Sequence, residues 1–117
     1  MTDRKKLKKE YQQTLPPMGI FQIKNKTNGK VYLGFAKNLP GIINSHKFSL
    51  KMGSHYSPEL QSDYNKLGED NFSFEVLDYL EPKEGIGYDY TADLKALEEI
   101  WLEKLQPFGE KGYHTKG

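Results

Sequence analysis

One carboxylate stands on the wrong side of its helix. From Thr91 to Leu105, apolar residues recur at Leu94, Leu97, Trp101 and Leu105, the spacing of a helix with one buried stripe. On a wheel of roughly 100° per residue, Glu98 falls inside that stripe, about 40° from Leu94, whereas Glu99 and Glu103 fall outside it. A carboxylate on an apolar face is costly unless it is paired or bound to a cation. Glu98 is therefore either a ligand for a hard divalent cation or the buried partner of a lysine or a tyrosine hydroxyl.

The other groups with chemical potential are rings and lysines. Tyr32 lies in a β-prone run and can act as a base at neutral pH only beside a cation or another base, because a free phenol titrates near ~10. His46 lies in a predicted helix with Ile42, Ile43, Phe48 and Leu50. It relays protons or contacts an anion, or it simply packs against a sheet. Lys37 and Lys47 offer point charges, His55 reads as a surface or substrate-facing residue, and His114 is a hydrogen-bonding group near the end of the sequence. The chain has a single arginine, Arg4, in its N-terminal stretch.

These residues need a scaffold. Thr27-Asn28-Gly29-Lys30 separates two β-prone runs, 18–25 and 30–36, and Asn-Gly there predicts a hairpin with a type I′ turn. Asn38-Leu39-Pro40-Gly41 reads as a turn, followed by a helix from Ile42 to about Met52 that Gly53 ends. Ser57 and Pro58 read as the N-cap and first position of the next helix, which Leu60, Tyr64 and Leu67 stripe and Gly68 stops. Phe72–Leu80 begins as a strict apolar–polar alternation and predicts a strand with one buried face. The last helix runs from Thr91 to Leu105, with Thr91 or Asp93 as its cap. Before all of these, Leu7, Tyr11 and Leu15 among lysines predict a short basic amphipathic helix closed by Pro16-Pro17. The expected organisation is that helix over 1–17 and one domain over 18–117. The class is α+β, a small three-stranded antiparallel β-sheet flanked by helices.

Two triplets frame the hairpin, Gly19-Ile20-Phe21 and Tyr32-Leu33-Gly34. They are followed in order by Ala36-Lys37-Asn38, His46, Gly53-Ser54-His55, Leu67-Gly68-Glu69-Asp70-Asn71-Phe72, Glu98 three residues before Trp101, and Gly112-Tyr113-His114. The series, over roughly residues 18–114, resembles the GIY-YIG nuclease family of homing endonucleases and excinuclease C N-terminal domains. The resemblance implies hydrolysis of nucleic-acid phosphodiester bonds with one divalent cation, Mg²⁺ or Mn²⁺. It implies Tyr32, His46 and Glu98 as catalytic residues, Glu98 as the metal ligand, and Lys37, Lys47, His55 and His114 as substrate contacts. It also exposes departures. Phe21 keeps a ring where the first triplet would carry tyrosine but has no hydroxyl, and His114 replaces a closing asparagine. The arginine expected four residues before His46 is Ile42. Arg4 reaching in from the N-terminal stretch would be a rescue, and Arg4→Ala would then abolish it.

Composition narrows the partners. Hydrophobic residues make up 36% and charged residues 28%, which suits one globular domain rather than a disordered chain. There is no cysteine, so no disulfide partner or thiolate metal site exists, and a reducing cytoplasm suits the chain. No apolar run approaches the ~18 residues of a membrane span, and Met1–Lys6 has no apolar segment behind it to make a secretory signal. The net charge of +1 hides an uneven distribution: residues 1–66 hold twelve Lys/Arg against four Asp/Glu, and residues 67–117 hold five against twelve. The basic half either attracts phosphates or pairs with the acidic half. The expected partner is nucleic acid, DNA before RNA, with no membrane. Three functions follow: a metal-dependent endonuclease weakened or inactivated by Ile42, an inactive nucleic-acid binder, or a structural domain that keeps the fold alone.

Overall fold

The computed structural model describes residues 15–82 and 87–114. Residues 1–14 of the predicted N-terminal helix lie outside that range. The described elements are β1 (Met18–Asn25), β2 (Val31–Ala36), α1 (Leu39–Met52), α2 (Pro58–Leu67), β3 (Phe72–Leu80) and α3 (Thr91–Leu105). The three strands form one antiparallel sheet in the order β2-β1-β3, so β1 is central, and β2 is an edge strand partly covered by residues 112–114. The α+β class and the three-stranded sheet are as the sequence predicts.

The sheet separates two layers. Phe21, Ile23, Tyr32, Phe72 and Phe74 face α1 and α2, packing on Leu39, Leu50 and Leu60. Ile20, Val31 and Leu33 face α3, packing on Leu97, Trp101, Leu102 and Leu105. The period-two alternation of side chains across a strand makes this division. One extra residue interrupts it: Ile20 pairs with Asp78 but Phe21 pairs with Val76, so Leu77 bulges and joins the α3 layer. Beyond the bulge, Asp78 accepts a hydrogen bond from Trp101 Nε1 at 3.0 Å and ties α3 to the strand.

Three local expectations are corrected. The hairpin exists, but its turn is not type I′: Gly29 has φ 79°, while Asn28 is not at positive φ. Asn25 and Asn28 side chains accept from the N–H groups of Thr27 and Lys30 and hold a longer loop instead. Residues 38–41 are not a free turn but the start of α1, because the Asn38 side chain caps it by accepting from Gly41 N, leaving Pro40 in the first turn where no donor is needed. Neither Thr91 nor Asp93 caps α3. Its cap residue is Tyr90, which makes no side-chain capping bond, and Asp89 accepts from both the N–H and the hydroxyl of Thr91.

Candidate active site

The edge strand β2 is where the two layers meet. A pocket of about 260 Å³ lies there, lined by Tyr32 and Gly34 of β2, Phe21 of β1, Ile42 and His46 of α1, Glu98 of α3, and Tyr56 and His114 from connecting segments. Tyr32 and Phe21 come from the α1 layer and Glu98 from the α3 layer, so only an edge strand allows them to share a cavity. Gly34 makes room for it. Phe21 pairs with Gly34 across the strands, and a Cβ at residue 34 would sit 2.7 Å from the tip of the Phe21 ring.

Rings pack around His46, which is 5% exposed. Its centroid lies 5.2 Å from Phe21 and 5.5 Å from Tyr32. His55 is buried at 7% exposure, so of its two expected readings the surface one does not hold. The turn after α1 folds inward because Gln61 clamps it: the Gln61 side chain accepts from His55 N and donates to Leu50 O. His55 does not line the pocket itself. Its Nδ1 accepts from Ser57 N at 3.0 Å, and its Nε2 lies 2.7 Å from His46 Nδ1.

Those bonds set the tautomers. A backbone amide only donates, so His55 Nδ1 carries a lone pair and its proton sits on Nε2. That proton is donated to His46 Nδ1, and neutral His46 then carries its own proton on Nε2. His46 thus offers the pocket an N–H rather than a lone pair. His114 is fixed in the same way: Leu33 N donates to its Nε2 at 2.7 Å, leaving the proton on Nδ1. Its ring stacks on Tyr32 at 5.1 Å and 24°. Burial lowers the pKa of all three histidines, that of His46 to about 4 with His55 as a second cause. At neutral pH none of them is a cation. Among the described residues no lysine or arginine lines the pocket either.

Glu98 is half-buried, and burial, then Glu99, raises its pKa while Lys95 opposes. It has no hydrogen bond or ion pair among the described residues, so the partner required by the alternative reading of this residue is not present there. Ile42 lines the same pocket, so the position at which the resemblance leads one to expect arginine is directed at the site. The two lysines lie elsewhere. Lys37 pairs with Asp89 at 3.3 Å, and Lys47 covers the Phe74 ring at 5.1 Å, in a groove with Phe48 and Lys51. Tyr56 is the pocket residue that sequence reasoning missed. The signal was an aromatic immediately after His55, and nothing in the spacing said which way that turn folds.

The donor set suits one kind of cation. Among the described residues no group of three or more His, Asp or Glu side chains gathers in metal-ligating geometry. A lone carboxylate facing an open pocket matches a hard cation that keeps most of its waters, as Mg²⁺ does, and not a zinc site, which takes three or four protein ligands.

Residues 17–113 match the family described as the GIY-YIG catalytic domain. A curated relative, intron-associated endonuclease 1 of Enterobacteria phage T4, is 36% identical over 87 residues. That alignment covers 74% of this chain but only 32% of the relative, so the chain spans about a third of that protein's length. Among solved structures, the catalytic domain of homing endonuclease I-TevI aligns with TM-score 0.68 and 32% identity, over 86% of this chain and 99% of that one. A point mutant of the I-TevI catalytic domain aligns with TM-score 0.63 and 32% identity, over 77% and 84%. No helix among the described residues is long and apolar enough to cross a membrane.

Proposed function

This chain belongs to the GIY-YIG catalytic-domain family, and from that premise we propose that it is an endonuclease domain cutting nucleic acid, DNA first, with one divalent cation, at a rate reduced by Ile42. The observation that carries the proposal is the convergence of Tyr32, His46 and Glu98, from a strand and two helices on opposite faces of the sheet, on one pocket.

The chemistry must neutralise charge as it builds on the phosphoryl oxygens. Glu98 is the residue to hold Mg²⁺ or Mn²⁺, which would supply positive charge and a more acidic water. Tyr32, which lines the same pocket as Glu98, supplies its hydroxyl to the reaction, its ring held by the stacked His114. His46 donates its Nε2 proton toward a phosphate oxygen, oriented by His55 behind it. His55 therefore acts through His46. His114 acts by holding Tyr32, and Lys37 and Lys47 contact flanking phosphates outside the pocket. What is missing is a guanidinium: Ile42 contributes no donor, and loss of one such donor costs about 10²–10³ in rate.

Incubating supercoiled plasmid with the protein and Mg²⁺ or Mn²⁺ tests this. Wild-type nicking that Glu98→Ala abolishes supports it, and nicking that survives the substitution refutes it. A second reading, an inactive nucleic-acid binder, is favoured by the absence, among the described residues, of any lysine or arginine lining the pocket. It predicts no nicking but an affinity that falls steeply with salt.

A further inference from the structure

Tyr56 has no part in the reading above, yet it occupies a distinctive place. It is 72% exposed but does not swing free. Its ring lies on His55 at 4.8 Å and 15°, and it meets Tyr32 and His46 at 5.9 Å each. The segment that carries it is fixed at both ends, by the Gly53 cap at the end of α1 and by the Ser57 cap on α2. Gln61 clamps the neighbouring residue between them.

Two of the rings that contact His46 differ in kind. One is Phe21, 2% exposed, with no hydroxyl and its tip against Gly34. The other is Tyr56, exposed and lining the pocket. Among the described tyrosines, the hydroxyls of Tyr64, Tyr88 and Tyr113 bond Glu69, Asp93, and Asp63 with Asn25, whereas Tyr79, exposed on β3, has no hydroxyl bond. The hydroxyls of Tyr56 and Tyr32, the two tyrosines that line the pocket, also have no hydrogen bond among the described residues. A held, exposed aromatic with a free hydroxyl, beside a carboxylate and two imidazoles, is placed to meet a ligand rather than to stabilise the fold.

We propose that Tyr56 is a substrate-contacting residue of this pocket, its hydroxyl donating to a phosphate oxygen of the bound strand and supplying the tyrosine hydroxyl that Phe21 lacks. The proposal rests on the nucleic-acid reading of the pocket. A phenol ordinarily titrates near ~10, so the group is an O–H donor at neutral pH. A phenol donor to an anionic oxygen is a charge-assisted bond, and its loss reads as about a ten- to hundredfold effect.

The experiment compares wild type, Tyr56→Phe and Tyr56→Ala in plasmid nicking with Mn²⁺ and in binding of a single-stranded oligonucleotide at fixed salt, with thermal denaturation alongside. Tyr56→Phe keeps the ring and its stacking on His55 and removes only the oxygen. The expected result is a loss of at least tenfold in kcat/KM for Tyr56→Phe at unchanged Tm. Wild-type rates in Tyr56→Phe overturn the proposal, and so does a loss seen only in Tyr56→Ala, which would make the ring a stacking surface. If the wild type binds without cutting, the endonuclease reading falls and the affinities decide: at least tenfold weaker binding by Tyr56→Phe upholds the contact, and equal binding removes it. A wild type that neither cuts nor binds removes both.

Discussion

Tyr113 and Tyr32 belong to the same buried layer, and their hydroxyls are treated in opposite ways. Tyr113 accepts from Asn25 Nδ2 at 3.1 Å and donates to Asp63 Oδ2 at 2.8 Å. Lys30 sits over its ring at 5.6 Å and pairs with Glu59 at 2.5 Å. Burial, with Asp63 adding to it, pushes the phenol well above its usual range. In this clamp every named polar group has a partner. In the neighbouring pocket Tyr32, Tyr56 and Glu98 have none among the described residues. None of those polar atoms is sealed from solvent, so the contrast is between a closed clamp whose polar groups bond one another and an open pocket whose polar groups are left to solvent or a ligand.

The sharpest way to break that comparison is to substitute on each side of it. Glu98→Gln should reduce metal-dependent nicking by about 10²-fold or more and leave the Tm at neutral pH unchanged or raised. The sign follows from linkage: the folded pKa of Glu98 is raised, so between the unfolded and folded values the fold holds more protons than the unfolded chain, and stability falls as pH rises through that window. A drop in Tm at neutral pH would place Glu98 among the clamp residues.

The histidines give the next largest effect. His46 titrates at about 4 in the fold against ~6.5 unfolded. The unfolded chain therefore binds more protons between those values, and stability present above pH 6.5 is lost as pH falls toward 4, by at most about 3 kcal/mol for this residue. His55 and His114 shift the same way. Thermal melts from pH 7 to pH 4 should show the loss, and His46→Phe should flatten it.

Tyr113→Phe should cost about 1–2 kcal/mol, because it strands the fully buried Asn25 amide, and it should leave nicking per folded molecule unchanged. Denaturant titration with a parallel activity assay measures both. The smallest effect belongs to Asp89→Asn. Thr91 and then Lys37 hold that carboxylate down to about 2, so its contribution is present above ~3.8 and fades as pH falls toward 2. Because the group is exposed, a neutral-pH melt should move less than for Tyr113→Phe.

Much of this was legible from local pattern. Asn28-Gly29 announced a hairpin, Ser57-Pro58 a helix start, and the phase of Glu98 against Leu94 and Trp101 its inward position, because each rests on neighbours within a turn or two of chain. The missed features rest on contacts at longer range or on ambiguous residues. Leu39-Pro40-Gly41 reads equally as a turn or as a first helical turn, and only the reach of Asn38 to Gly41 decides. The bulge at Leu77 depends on pairing with a strand more than fifty residues earlier. His55 and Tyr56 were placed by Gln61, a residue with no pattern to mark it.

The bond from Leu33 N to His114, together with the bridge between Val31 and Gly112, clips late chain onto an early strand. During synthesis the hairpin, α1 and α3 all emerge before residue 114 does, yet the ring that holds Tyr32 is missing until then. A nascent or clipped polypeptide ending short of this histidine would carry the family's signature triplets and remain unarmed.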